Sequence, residues 1–157
     1  MADMFIKIDG IAGEAQDDVH RGEIDVASWH WRMSQQSSMM PGSGGGAGKA
    51  TINDLEFIHQ IDRASPNLMR YCLTGRHIPK VVLSVRKAGG VPLDFLKITM
   101  GDVVVTSVEP SGASNKHWEH VTLSFARVKQ EYIVQGKLGT GNGTVTASFD
   151  IKENIAQ

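Results

Sequence analysis

One stretch near the middle of the chain constrains the fold most, because it alone carries a full set of helix start and stop signals. Ser65 is suited to cap the first free amides and Pro66 fits the first turn, while Gly75 can take the left-handed conformation that closes a helix. Pro79 prevents the helix from resuming. We therefore predict a single α-helix from about Ser65 to Thr74, with strands on both sides of it.

The apolar residues of this helix fall on one stripe, which predicts that the helix packs on a sheet. Leu68 and Met69 lie three to five residues before Cys72 and Leu73, so all four fall on one side of a helix. Cys72 is the only cysteine, so no internal disulfide framework is possible. Its place on the stripe favours a small core residue over a nucleophile.

Two-residue alternation of apolar and polar side chains predicts about seven strands in the rest of the chain. The alternation is clearest at Val121, Leu123 and Phe125. The segment from Glu23 to Met33 changes phase halfway, which indicates a strand that contains a bulge or is covered by different surfaces on its two sides. The expected fold is mainly β: an antiparallel barrel or sandwich with the helix packed on its flank. The 157 residues are expected to form one domain, residues 1–157.

A serine- and glycine-rich segment from about 34 to 49 is too long and too polar for regular structure. Its middle holds an apolar pair of methionines, a side-chain type suited to a partner's groove. A contact loop and a plain flexible linker both fit this composition. The contact hypothesis rests on Met39, Met40, Pro41, Gly42, Ser43 and Gly44.

The same segment resembles a phosphate-binding loop only superficially. Ser43 stands where that motif requires a glycine, and Ala50 follows Lys49 where a hydroxyl must meet magnesium. No apolar strand leads into the glycines. We therefore predict no nucleotide site and no cofactor.

The search for catalytic and metal sites is negative. The loop carrying Glu14, Asp17, Asp18 and His20 lacks the spacing of a calcium loop and is interpreted as an ordered surface loop. His117 and His120 are expected on opposite faces of one strand. No nucleophile elbow or paired-carboxylate motif is present, so no catalytic residue is predicted. A hydrolase that uses Cys72 with His59 or His77 is the least favoured alternative.

Charge and hydropathy limit the kinds of partner that this chain is expected to bind. A net charge of -1 with 21% charged residues leaves no basic excess for a phosphate backbone, which argues against nucleic acid. The first residues lack the basic start and apolar run of a signal peptide, and no later stretch is expected to insert into a membrane. Many strands leave many edges, and self-association in a closed ring is one way to cover them.

Seven segments occur in a recognisable order and are spread over almost the whole chain. They are Phe5–His20 (FIKIDGIAGEAQDDVH), Gly48–Ala50 (GKA), Ala64–Leu68 (ASPNL), Cys72–Pro79 (CLTGRHIP), Val105–Gly112 (VTSVEPSG), Glu119–Phe125 (EHVTLSF) and Phe149–Asn154 (FDIKEN). Together they resemble the haemolysin-coregulated protein family, Hcp. Two departures concern packing: Ala15 stands where a serine is common, and Phe149 where a tryptophan is common.

This resemblance implies a phage tail-tube-like fold and a structural, non-enzymatic role in the bacterial type VI secretion system. Six copies would close into a ring, and rings would stack into an inner tube driven out by a contractile sheath beneath a spike protein. The lumen would hold small effector proteins, and the chain would be cytoplasmic before assembly and secreted by this route afterwards. An effector-binding module without tube assembly is the alternative. Polar strand faces suit either a lumen or an exterior; they carry Thr122, Ser124, Thr144, Thr146 and Ser148.

Overall fold

The computed structural model describes residues 3–36, 49–87, 93–135, 141–153 and 155–156. These ranges contain one helix, α1 (Ser65–Thr74), as predicted. They also contain eleven strands, more than the seven expected because several span only two or three residues. The strands are β1 (Met4–Ile8), β2 (Ile24–Asp25), β3 (Ser28–His30), β4 (Met33–Gln35), β5 (Ala50–Ile52), β6 (Leu55–Gln60), β7 (Ile78–Arg86), β8 (Asp94–Ala113), β9 (Lys116–Gln135), β10 (Gly141–Asp150) and β11 (Ile155–Ala156).

The strands pair antiparallel throughout, which confirms the predicted mainly β, antiparallel class. The main sheet follows the order β11-β10-β9-β8-β7-β1-β2, and β6 joins it on β9 with β3 beyond. Strand β9 therefore has two neighbours on one side: β10 pairs with its later half, from Arg127, and β6 with its earlier half, up to Leu123. Opposite this change of partner, β8 contains an irregularity between Val105 and Ser107. Such a bulge bends the strands, so the sheet curls around a single core.

The core lies inside the curl and holds the residues that alternation placed there. Val121, Leu123 and Phe125 are buried, whereas Thr122 and Ser124 on the other face of β9 are partly exposed. The largest fully buried side chains include Phe5, Ile6, Leu55, Phe57, Leu68, Leu83, Ile98 and Met100.

The helix packs through a stripe that overlaps the predicted one only in part. Leu68 is buried and Cys72 is partly buried against the core, as predicted. The prediction was wrong for Met69 and Leu73, which are 55% and 77% exposed. It also left out Tyr71, which is buried. The aromatic body of Tyr71 reaches the loop at Gly10, where its hydroxyl leaves no room for a β-carbon.

The N-terminal end of the helix differs from the prediction, whereas the C-terminal end agrees with it. Ser65 does not cap the helix. Instead the Asp62 carboxylate accepts a hydrogen bond from the Ala64 amide at 2.8 Å. At the other end Gly75 has φ of 64°, as predicted for a left-handed closing residue, and its amide donates to the Cys72 carbonyl at 3.3 Å.

Two predicted strands are interrupted, because the chain changes partners along them. The 23–33 segment is three short strands that pair in turn with β1, β6 and β5. The predicted strand from Thr51 to Ile58 is likewise divided between β5, in a separate two-stranded sheet with β4, and β6 in the main sheet. A change of partner explains the change of phase, since each new partner requires a different face to be buried.

Candidate assembly surfaces

The acidic loop between β1 and β2 is ordered, as predicted, and folds tightly onto the strand that follows it. The amide of Gly13 donates to the Gly22 carbonyl at 2.8 Å, and that of Ala15 donates to the Glu23 carbonyl at 2.9 Å. Gly13 has no space for a side chain, because a β-carbon would lie 2.4 Å from the Glu23 oxygen. The loop is therefore part of the scaffold.

His20 anchors the end of this loop in the interior. It is 5% exposed and stacks on Phe5 with ring centroids 4.4 Å apart. Its Nδ1 lies 2.9 Å from Glu23 Oε2, and its Nε2 lies 3.0 Å from Asp94 Oδ2. Since a carboxylate only accepts hydrogen bonds, both contacts are made together when the ring carries two protons.

Asp17 and Arg86 form the second anchor of the loop. The Arg86 guanidinium donates through Nη1 and Nη2 to the two Asp17 oxygens at 2.7 and 2.8 Å. These bonds hold the pKa of the Asp17 carboxyl well below its usual range. The loop carboxylates thus serve as structural partners, and no group of three or more metal-binding side chains occurs in the part of the chain that the structure describes.

The residues of the hydrolase alternative have other partners. The His59 Nε2 lies 2.8 Å from Glu119 Oε1, with both residues buried. The His77 Nδ1 lies 2.7 Å from Asp102 Oδ1 at an exposed site. Within the described ranges, no hydrogen bond joins Cys72 to either histidine. The three residues therefore do not form a nucleophile and base in this arrangement.

The other candidate histidines lie on β9. His120 faces two glutamates of neighbouring strands, Glu56 at 3.8 Å and Glu109 at 3.9 Å. His117 lies over Gly112 across the β8–β9 turn. These placements are those of strand surface residues.

An apolar face extends beyond the core where the end of β9 pairs with the start of β10. The sequence analysis did not predict it. Tyr132 and Val145 lie directly opposite each other and are 47% and 65% exposed. Val134, on the same face, is 37% exposed. We call these three residues the arm patch. Adjoining exposed apolar side chains of this kind are a candidate contact surface. The signal was available in the alternation of β10, where Val145 stands between Thr144 and Thr146.

A second apolar surface lies between the small sheet and strands β9 and β10. It is a groove of about 380 Å³ lined mainly by Trp31, Met33, Ile52, Val128 and Phe149. Met33 is 53% exposed at its rim. Both strands of the small sheet, β4 and β5, contribute to the lining, and they flank the segment that contains Met39 to Gly44. That predicted contact segment lies outside the described residues.

Two further features of the sheet are its open edges and its polar faces. In the described part of the chain the main sheet ends at β2 on one side and at β11 on the other, so these strands present open edges. The predicted polar faces are at the surface: Thr144 and Thr146 are exposed, and Thr122, Ser124 and Ser148 are partly exposed.

In the described residues, no helix has the length and apolar character needed to cross a membrane.

Comparison with known proteins identifies relatives along the whole chain. Residues 5–132 match the family described as "Type VI secretion system effector, Hcp". The chain is 45% identical over 157 residues to protein hcp1 of Pseudomonas aeruginosa, covering 98% of this chain and 97% of that protein.

Solved structures agree. Hcp1 from Salmonella typhimurium is 49% identical with a TM-score of 0.84, covering 100% of both chains. A type VI secretion system effector from Yersinia pestis is 39% identical with a TM-score of 0.78, covering 94% of this chain and 99% of that one. The resemblance seen in seven sequence segments is confirmed, and the chain belongs to the Hcp family of type VI secretion system proteins.

Proposed function

We propose that this chain is the ring-forming subunit of a type VI inner tube, with six copies in a ring and rings stacked into a tube. Family membership supports a role in the secretion system. The observation that carries the assembly proposal is the arm patch, where Tyr132 and Val145 leave an apolar face uncovered beside open strand edges.

The proposed mechanism is assembly and passage, without catalysis or a cofactor. Each copy uses one surface to cover a different surface of the next copy, a head-to-tail contact that closes when the rotation per copy divides a full turn. Polar strand faces such as those of Thr144 and Thr146 then face either the lumen or the exterior. Small effector proteins travel in the lumen, while the spike protein and the contractile sheath act on the tube from outside. The chain is cytoplasmic before assembly and leaves through the apparatus.

The experiment is the solution mass of the purified chain, measured by light scattering over a range of concentrations and followed by negative-stain imaging. We expect six subunits and a central hole. Val145→Lys should shift the mass toward the monomer, because it places a charge in the arm patch. Leu73→Lys is the matched control: Leu73 is 77% exposed but lies on the helix, so this variant should assemble normally.

A monomer at every concentration would overturn the ring and favour the effector-binding module. Co-expression with a candidate effector followed by limited proteolysis tests the carrier role: effector left unprotected in the presence of intact rings would contradict it.

The single domain is proposed to use its 34–49 segment for contact between stacked rings. Two methionines, Met39 and Met40, supply about 3 to 5 kcal/mol of apolar burial before the cost of ordering the segment. Deleting 42–46 should leave rings intact and weaken their stacking. Unchanged tube formation in the deletion variant would contradict this role.

A further inference from the structure

An acidic cleft occupies the seam where the curled sheet fails to close. Strand β2 ends the main sheet there, and the hydrogen bond from the Ala27 amide to the Ile58 carbonyl, at 2.8 Å, bridges to β6 at this point. The cleft has a volume of about 750 Å³. Its lining includes four carboxylates and, among the described residues, no basic side chain; the four are Asp3, Glu14, Asp25 and Asp62.

The acidic groups of the cleft are held close enough to influence one another. Partial burial and the negative charges of neighbouring carboxylates raise the pKa of Asp25 and of Asp62. Both Asp62 and Glu14 also accept backbone hydrogen bonds, whereas no hydrogen bond to Asp3 or Asp25 side chains occurs within the described residues. Negative charge is therefore gathered at a concave site whose described lining holds no lysine, arginine or histidine.

A buried polar atom without a hydrogen-bond partner lies behind Asp62, on the core side of the cleft. His59 is 0% exposed, and its Nε2 is engaged by Glu119. Its Nδ1 has no hydrogen-bond partner and faces Asp62, whose Oδ1 is 3.8 Å away. Burying a polar atom without a partner costs free energy. Among the described residues this nitrogen therefore has only the Asp62 carboxylate near it, beyond hydrogen-bond distance.

A groove of opposite charge lies at the other end of β1. Lys80, Arg127 and Lys129 line it, and its volume is about 350 Å³. The Asp9 amide donates to the Lys80 carbonyl, whereas Asp3 and Met4 at the start of β1 line the cleft. At about 3.4 Å per residue, the two sites are roughly 15 Å or more apart along the strand. One rigid molecule cannot bring them together.

The basic side chains of the groove are largely available. Lys129 lies 3.6 Å from Glu131, but within the described ranges no ion pair involves Lys80 or Arg127. Asp150 is the register partner of Arg127, yet its Oδ1 accepts a hydrogen bond from the Glu153 amide at 3.0 Å. The basic side chains of Lys80 and Arg127 at one end of β1 thus complement the carboxylates of Asp3 and Asp25 at the other.

We propose that the acidic cleft of one copy receives the basic groove of the next, with Arg127 directed to Asp25 and Asp3. This inference rests on the proposed self-assembly and specifies one head-to-tail contact in it. Complementary charge at such a contact sets register and suppresses wrong pairings, because like charges repel. It also makes association sensitive to salt.

Charge reversal followed by mixing tests this contact. Asp25→Lys and Arg127→Glu should each weaken association about tenfold or more at low salt, measured by sedimentation velocity. Mixed in equal amounts, they should recover association to within about threefold of the unaltered chain, since every contact between unlike copies again joins opposite charges. Lys116→Glu, at the exposed first residue of β9, is the matched control and should have no effect.

The outcomes separate the two proposals. If the unaltered chain assembles while both variants associate as well as it does, or if their mixture stays as weak as each alone, the charge contact is wrong and the ring proposal stands. If the unaltered chain never assembles, the ring proposal itself fails. Thermal unfolding of each variant shows that it is folded. If either reversal disturbs the fold, Asp25→Asn and Arg127→Gln replace the reversed variants. They remove charge without reversing it, so each should weaken association by a smaller factor.

Discussion

His59 and Glu119 face each other across paired strands in the interior, with His59 Nε2 2.8 Å from Glu119 Oε1 and side-chain exposures of 0% and 3%. This pair joins β6 to the early half of β9, the junction at which the sheet curls. Its polar atoms have been removed from water, so each depends on the other for a hydrogen bond.

Glu119→Ala should destabilise the fold by about 2 to 4 kcal/mol, because it leaves a fully buried imidazole without its partner. Glu119→Gln should cost less, since an amide oxygen can still accept from the ring. The measurement is urea unfolding followed by tryptophan fluorescence. Glu109→Ala, at an exposed site on β8, is the control. If Glu109→Ala and Glu119→Ala lower the free energy of unfolding by the same amount, the buried pair contributes no more to stability than an exposed glutamate.

The helix contact predicts a contrast between two leucines on neighbouring turns. Leu68→Ala should cost about 2 to 5 kcal/mol, because Leu68 is fully buried and its truncation leaves a cavity. Leu73→Ala should change stability by less than about 0.5 kcal/mol, because Leu73 lies 77% exposed. Unfolding free energies of the two variants measure this contrast directly. A large loss at Leu73 would restore the stripe predicted from sequence.

The pairing of Asp17 with Arg86 predicts an acid-sensitive contribution to stability. Because the folded pKa of Asp17 is lowered, its contribution is present above the unfolded pKa of about 4 and is lost as the pH falls below it. Asp17→Asn should therefore be less stable than the unaltered chain at pH 7, and the difference should shrink between pH 4 and pH 2. Unfolding measured across this range tests the sign. Asp18→Asn, at a fully exposed carboxylate, should show no such trend.

The loop before β2 predicts a backbone clash at one glycine. Gly13→Ala should destabilise the fold by about 2 to 4 kcal/mol, because the new β-carbon would lie 2.4 Å from the Glu23 carbonyl and the backbone must move. Gln16→Ala, in the same loop at an exposed position, is the control. Thermal unfolding compares them. A melting temperature for Gly13→Ala equal to that of the control would mean that the loop adapts at no cost.

Periodicity predicted the elements well where one partner covers a strand along its whole length. Val121, Leu123 and Phe125 alternate with polar residues and are buried as expected, since the same side of β9 faces the core throughout. It failed between Glu23 and Met33, where the backbone moves from β1 to β6 and then to β5. A local pattern records that the buried face changes. It does not record which strand causes the change.

The sequence by itself determined the antiparallel class, the place and closing residue of the helix, and the Hcp family, because these depend on local spacing and on ordered motifs. Only the tertiary structure decided that Met69 and Leu73 point outward, that the arm patch continues beyond the core, and that opposite charges gather at the two ends of β1. Burial and charge complementarity depend on groups far apart in the chain, such as Asp25 and Arg127. Their positions follow from how the sheet curls, which no local pattern encodes.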